Sequence, residues 1–115
     1  MILLVEDEER AREVFAKILR KAGYGVIEAS DGLEALSLLE TMRCDLVISD
    51  ILMPNLNGYA LVARIRAKWP NLPIVLTSGY LSQDTGKALM NGSVDFIPKP
   101  IDSELLIATV RRLIA

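Results

Sequence analysis

The chain has 115 residues, 51% of them hydrophobic and 24% charged, with a formal net charge of −2. That suits a single domain spanning residues 1–115, with its own core and no sign of disorder. It also argues against a nucleic-acid surface, and no apolar run approaches the roughly 18 residues of a membrane span.

The chain opens on an apolar strand, Ile2–Val5, which runs straight into "EDEER"; this turns acidic too early for a signal peptide. Ala11, Val14, Phe15, Ile18, Leu19 and Ala22 then recur with helical period and stop at Gly23. A second strand is expected over Gly25–Ala29. A second helix follows on Ala35, Leu38, Leu39 and Met42, opened by Asp31 and Glu34 at the spacing of a capping box. The lone Cys44 precludes an internal disulfide and fits a reducing, cytoplasmic setting.

Leu46–Ser49 reads as a third strand, ending on the carboxylate of Asp50. The loop to Gly58 contains Pro54, and Gly58, Leu61, Val62 and Ile65 form a third helix that stops before Pro70. Ile74–Thr77 and Val94–Ile97 are the remaining strands. Between them, Ser82–Asn91 carries a weak, mobile helix with Gly86 inside it. Asp102 caps the last helix, which buries Leu106, Val110, Leu113 and Ile114.

Five strands alternating with helices predict an α/β fold with a parallel sheet covered on both faces. In the flavodoxin-like (βα)5 arrangement, a three-layer sandwich with strand order 2-1-3-4-5, the first and third strands flank the switch point where ligands bind. Glu6, Asp7 and Asp50 would meet there, with Thr77, Ser78 and Lys99 arriving from the fourth and fifth strands. Converging carboxylates call for a cation, and an oxygen-ligating Mg²⁺ suits phosphate chemistry. A carboxylate beside a metal is also a competent nucleophile. The absence of histidine excludes His triads, His metal ligands and an internal phosphohistidine.

The segments "LLVEDE", "VISDILMPNLNG", "PIVLTSGY" and "VDFIPKP", in this order, resemble receiver domains of the two-component response-regulator family along the whole chain. The resemblance implies that Asp50 accepts a phosphoryl group from a partner's phosphohistidine. Asp7 and Asp50 would ligate Mg²⁺ (Mn²⁺ as a substitute), Glu6 through water, and Leu52 through its backbone carbonyl. Lys99 would pair with the phosphoryl group, and Ser78 and Phe96 would act as the switch. Together they reshape the face of the Ser82–Asn91 helix, fifth strand and last helix. Ser78 rather than Thr77 takes the hydroxyl position, and Asn57 stands where Asp is frequent. The resemblance also implies a cis Lys99–Pro100 peptide.

The implied partners are a sensor histidine kinase or a histidine phosphotransfer domain, with no direct nucleic-acid or membrane contact. The chain itself would not be a conventional enzyme, although it would promote its own phosphorylation and dephosphorylation. "LTSGY", and the single residue before the first strand, suggest a receiver excised from a hybrid histidine kinase or longer regulator. Three other readings compete. A haloacid-dehalogenase-type phosphatase needs a second acid where Leu52 stands. A flavodoxin-like nucleotide or flavin binder needs a Gly-rich phosphate loop, and "VEDEER" is not one. A purely structural interaction module would leave the acidic, hydroxyl and lysine positions without a purpose.

Overall fold

The computed structural model describes residues 1–79 and 94–114. The strands are β1 (Ile2–Val5), β2 (Val26–Ala29), β3 (Leu46–Asp50), β4 (Ile74–Ser78) and β5 (Val94–Pro98). They pair in parallel in the order β2-β1-β3-β4-β5, so the predicted order holds and β1 and β3 are neighbours. Among the described residues the helices are α1 (Glu9–Lys21), α2 (Gly32–Thr41), α3 (Gly58–Lys68) and a last helix, Ser103–Ile114. The weak helix expected in Ser82–Asn91 lies outside the described residues, as does Tyr80.

Strand residues alternate between two cores, as a pleated sheet requires. Leu3, Val5, Val47, Ile74 and Leu76 join Ala35 and Leu39 of α2 and Leu61, Val62 and Ile65 of α3. Ile2, Leu4, Ile48, Val75 and Ile97 join Phe15, Ala16 and Leu19 of α1 and Leu106 and Val110 of the last helix. The sheet is therefore the middle of three layers, and continuous apolar runs such as Ile2–Val5 are buried on both faces.

The strands reach further than their apolar runs suggest. Asp50, Ser78 and Pro98 are the last residues of β3, β4 and β5, one beyond the predicted ends, whereas β2 starts at Val26 rather than Gly25. The α1 stripe is also shifted: Val14 is 55% exposed, whereas Ala16, absent from the predicted stripe, is buried. Polar side chains cap the helices. Asp31 accepts from the Glu34 N–H (2.8 Å), and Glu34 reaches back to the Ser30 N–H (3.2 Å). Asn57 accepts from the Ala60 N–H (2.9 Å), and Asp102 accepts from the Glu104 N–H (2.9 Å). No helix of the described residues is long and apolar enough to cross a membrane.

Candidate functional site

The loops after β1, β3 and β5 leave the same carboxyl edge of the sheet, and the strand ladder pins the first residue of each. The Glu6 N–H donates to Ala29 O (3.0 Å), the Ile51 N–H to Thr77 O (3.0 Å) and the Lys99 N–H to Ser78 O (2.7 Å). Those bonds bring together residues from positions 6, 50 and 99. Carboxylate oxygens of Glu6, Asp7 and Asp50 lie within 4.8 Å of one another. Lys99 Nζ stands between two of them, 3.0 Å from Glu6 Oε1 and 3.0 Å from Asp50 Oδ2.

Burial separates the three acids. Glu6 is 1% and Asp50 8% exposed, whereas Asp7 is exposed. Burial pushes the Glu6 carboxyl above its ordinary range, and nearby Asp50 pushes the same way; the Glu8 N–H and the Lys99 ammonium partly offset this. Lys99 moves in the direction that keeps it charged. Burial opposes its ammonium, but the Asp50 and Glu6 carboxylates outweigh that cost and raise its pKa.

The donor set fits a hard divalent ion. It consists entirely of oxygens, and three carboxylates against one ammonium leave an excess of negative charge that such an ion would balance. An uncompensated cluster of this kind in a half-buried cleft would be costly.

The loop after Asp50 is shaped by close backbone contacts. Gly58 N–H donates to Ile51 O (2.8 Å), folding the loop back onto the start of α3. A Cβ at Gly58 would sit 2.6 Å from Asp50 O and 2.8 Å from Ile51 Cα. Asn55 adopts the left-handed conformation (φ 68°), and its amide donates to Asp31 Oδ2 (3.3 Å). The Leu52 side chain is 66% exposed and offers no carboxylate, which leaves a dehalogenase-type phosphatase without its second acid.

Ser78 is buried (3%) at the end of β4, paired with Pro98 and adjacent to Lys99 through its carbonyl. Thr77 is buried too, but its hydroxyl turns inward to Ser49 O (3.5 Å). Phe96 is half-buried against the α2–α3 core, level with Leu76. The Lys99–Pro100 peptide is cis, as expected.

Some functional geometry went unanticipated. Glu8, to which the sequence assigned no role, is the N-cap of α1 and accepts from the Arg10 (3.2 Å) and Ala11 (2.7 Å) N–H groups. The Lys99–Glu6 bond was missed as well, although burial of an acid beside an invading lysine follows once the strand order is known. Arg12, whose Nη1 donates to Glu6 O (2.9 Å), had no signal beyond its place on the polar side of α1.

Residues 2–111 match the response regulator receiver domain family, and the chain belongs to it. It is therefore a receiver domain of two-component systems, a class found in both hybrid kinases and response regulators. Members of the class are phosphoacceptors, generally not counted as enzymes, that bind Mg²⁺ through acidic residues and interact with histidine kinases or phosphotransfer proteins.

The chain is 34% identical to the sensor kinase CckA of Brucella abortus (strain 2308) over 116 residues, covering 98% of this chain and 12% of CckA. It is 38% identical to the response regulator MprA of Mycobacterium sp. (strain KMS) over 114 residues, covering 98% of this chain and 50% of MprA. The chain thus spans half or less of these curated relatives. The solved receiver domain of NtrX from Brucella abortus superimposes with a TM-score of 0.92 at 34% identity, covering 99% of this chain and 98% of that one.

Proposed function

We propose that residues 1–115 form one receiver unit in which Asp50 takes a phosphoryl group from a phosphohistidine on a sensor histidine kinase or histidine phosphotransfer domain. The observation that carries this reading is the Lys99 ammonium bonded to both Glu6 and Asp50, with Asp7 in the same cluster.

Asp7 and Asp50, with the Leu52 carbonyl, would hold Mg²⁺ (or Mn²⁺), and Glu6 would reach it through water. When bound, the ion offsets the negative charge that carboxylates and phosphoryl oxygens bring together. An Asp50 carboxylate oxygen forms the new bond to phosphorus as the donor's P–N bond breaks. The bonding pair returns to the ring nitrogen, and a proton on the ring's other nitrogen lets it leave as neutral imidazole. Lys99 turns its ammonium from Asp50 to a phosphoryl oxygen as a point charge, and the Ser78 hydroxyl donates to another. Phe96, lacking a hydroxyl, follows by packing alone, which changes the face of β5 and the last helix.

The unit would work within a hybrid kinase or a longer regulator, in the cytoplasm. Intact-mass measurement after incubation with acetyl phosphate and Mg²⁺ tests the chemistry. One added phosphoryl group is expected, lost in Asp50→Asn and diminished by a chelator. An adduct that survives Asp50→Asn, or no adduct on the unaltered chain, would overturn the assignment and favour a pure interaction module.

A further inference from the structure

The turn that carries Glu6 and Asp7 is braced from an unexpected direction. Arg12 lies in the first turns of α1, where side chains lean back toward the helix start. Its Nη1 donates to Glu6 O (2.9 Å), and its Nε lies 3.3 Å from Glu28 Oε1 on β2. Glu28 is itself gripped from the other side by Arg20, whose Nη2 lies 3.3 Å from Glu28 Oε2 and donates to Val26 O (3.0 Å). The Arg12 side chain is only 18% exposed, so this is a packed contact rather than a loose surface pair.

The acceptor on Glu6 matters. Its carbonyl belongs to the planar peptide joining Glu6 to Asp7, so a bond to it sets the plane from which both acidic residues depart. Glu6 is otherwise well held, by the Ala29 carbonyl, the Glu8 N–H (3.2 Å) and Lys99. Asp7 is exposed and depends on that peptide for its aim.

We infer that Arg12 is a positioning residue for the divalent-ion site, holding the Glu6–Asp7 peptide in ligating orientation by bridging the Glu6 carbonyl to Glu28. The inference rests on the metal reading above. A guanidinium presents Nη1 to one acceptor and Nε to the other from a rigid fork, whereas a lysine offers all its donors from a single atom and cannot reproduce that spacing.

The test is calorimetric titration of Mg²⁺ into the chelator-stripped protein, with urea unfolding in EDTA run in parallel. Arg12→Ala is expected to weaken Mg²⁺ binding about tenfold, the lower end of the cost of losing an outer-shell partner. Arg12→Lys keeps the charge but loses the fork and should fall between Arg12→Ala and the unaltered chain. It also serves if Arg12→Ala folds poorly. Arg20→Ala loosens Glu28, which Arg12 also grips, but leaves the Arg12–Glu6 bond in place, so it should lower the urea midpoint and cost less Mg²⁺ affinity than Arg12→Ala does. Equal Mg²⁺ affinity in Arg12→Ala and the unaltered chain overturns the positioning role alone, as does an Arg20→Ala loss matching that of Arg12→Ala. A flat titration of the unaltered chain overturns the metal reading and this inference with it.

Discussion

Gly58 is the residue on which the geometry after Asp50 turns. A methyl group there would press on the Asp50 carbonyl oxygen at 2.6 Å and on Ile51 Cα at 2.8 Å, both backbone atoms that cannot rotate away. Gly58→Ala is therefore expected to cost about 1–3 kcal/mol in urea unfolding, the usual penalty of overpacking. It should also slow acetyl-phosphate labelling of Asp50, the acceptor proposed above, because relief of the clash displaces the end of β3 that carries it. An unchanged urea midpoint would show that the loop can shift freely. Single residues of this kind differ in how legible they are. Asp50, Glu6, Asp7, Ser78 and Lys99 stand out because each interrupts or follows an apolar strand, where a polar group needs a reason. Arg12 and Glu8 do not, since a helix surface is expected to be charged and only three dimensions reveal what each charge touches.

Two helix starts were readable from a short polar capping residue, Asp31 and Asp102, and Asn57 caps a third in the same way. Asp31, Asn57 and Asp102 each accept from an N–H two or three residues on, as their side-chain length permits. Glu8 is longer and less typical, and its acidic neighbours disguised it. Asn57→Ala should lower stability by about 1 kcal/mol in thermal or urea unfolding, the typical cost of a lost N-cap. Asn57→Asp keeps the acceptor and adds a charge favourable at a helix start, so it should match or exceed the parent. A loss in Asn57→Asp equal to that in Asn57→Ala would show that the amide nitrogen of Asn57 matters instead. The stripe on α1 was read less well. Apolar spacing alone admits both Val14 and Ala16, and the helix rotates so that small Ala16 faces the sheet. Val14 is left beside Arg10, Pro100 and Ile101, along a shallow groove beyond Lys99.

The order of the strands could not be read from spacing alone; it was taken from the fold class and agrees with the observed pairing. The number of strands and their double-sided burial were directly readable, because runs such as Ile2–Val5 and Ile74–Thr77 have no polar face. What no local pattern could supply is the meeting of Glu6, Asp50 and Lys99, which depends on β1, β3 and β5 ending at one edge of one sheet.

Glu6 and Lys99 are separated by 93 residues, so their ion pair closes nearly the whole chain. Contacts of such range form late, after nearer ones have lowered the entropy of closure. Until the segment with Lys99 docks, Glu6, Asp7 and Asp50 repel one another at the edge of a half-built sheet. Completing the sheet is thus also a charge-neutralisation step. Refolding from urea, followed by Trp69 fluorescence, should speed up with millimolar Mg²⁺ more than with NaCl of matched ionic strength. Lys99→Gln should slow it most at low salt, where repulsion is least screened. Identical rates across these conditions would mean that the acids come together only after Lys99 has arrived.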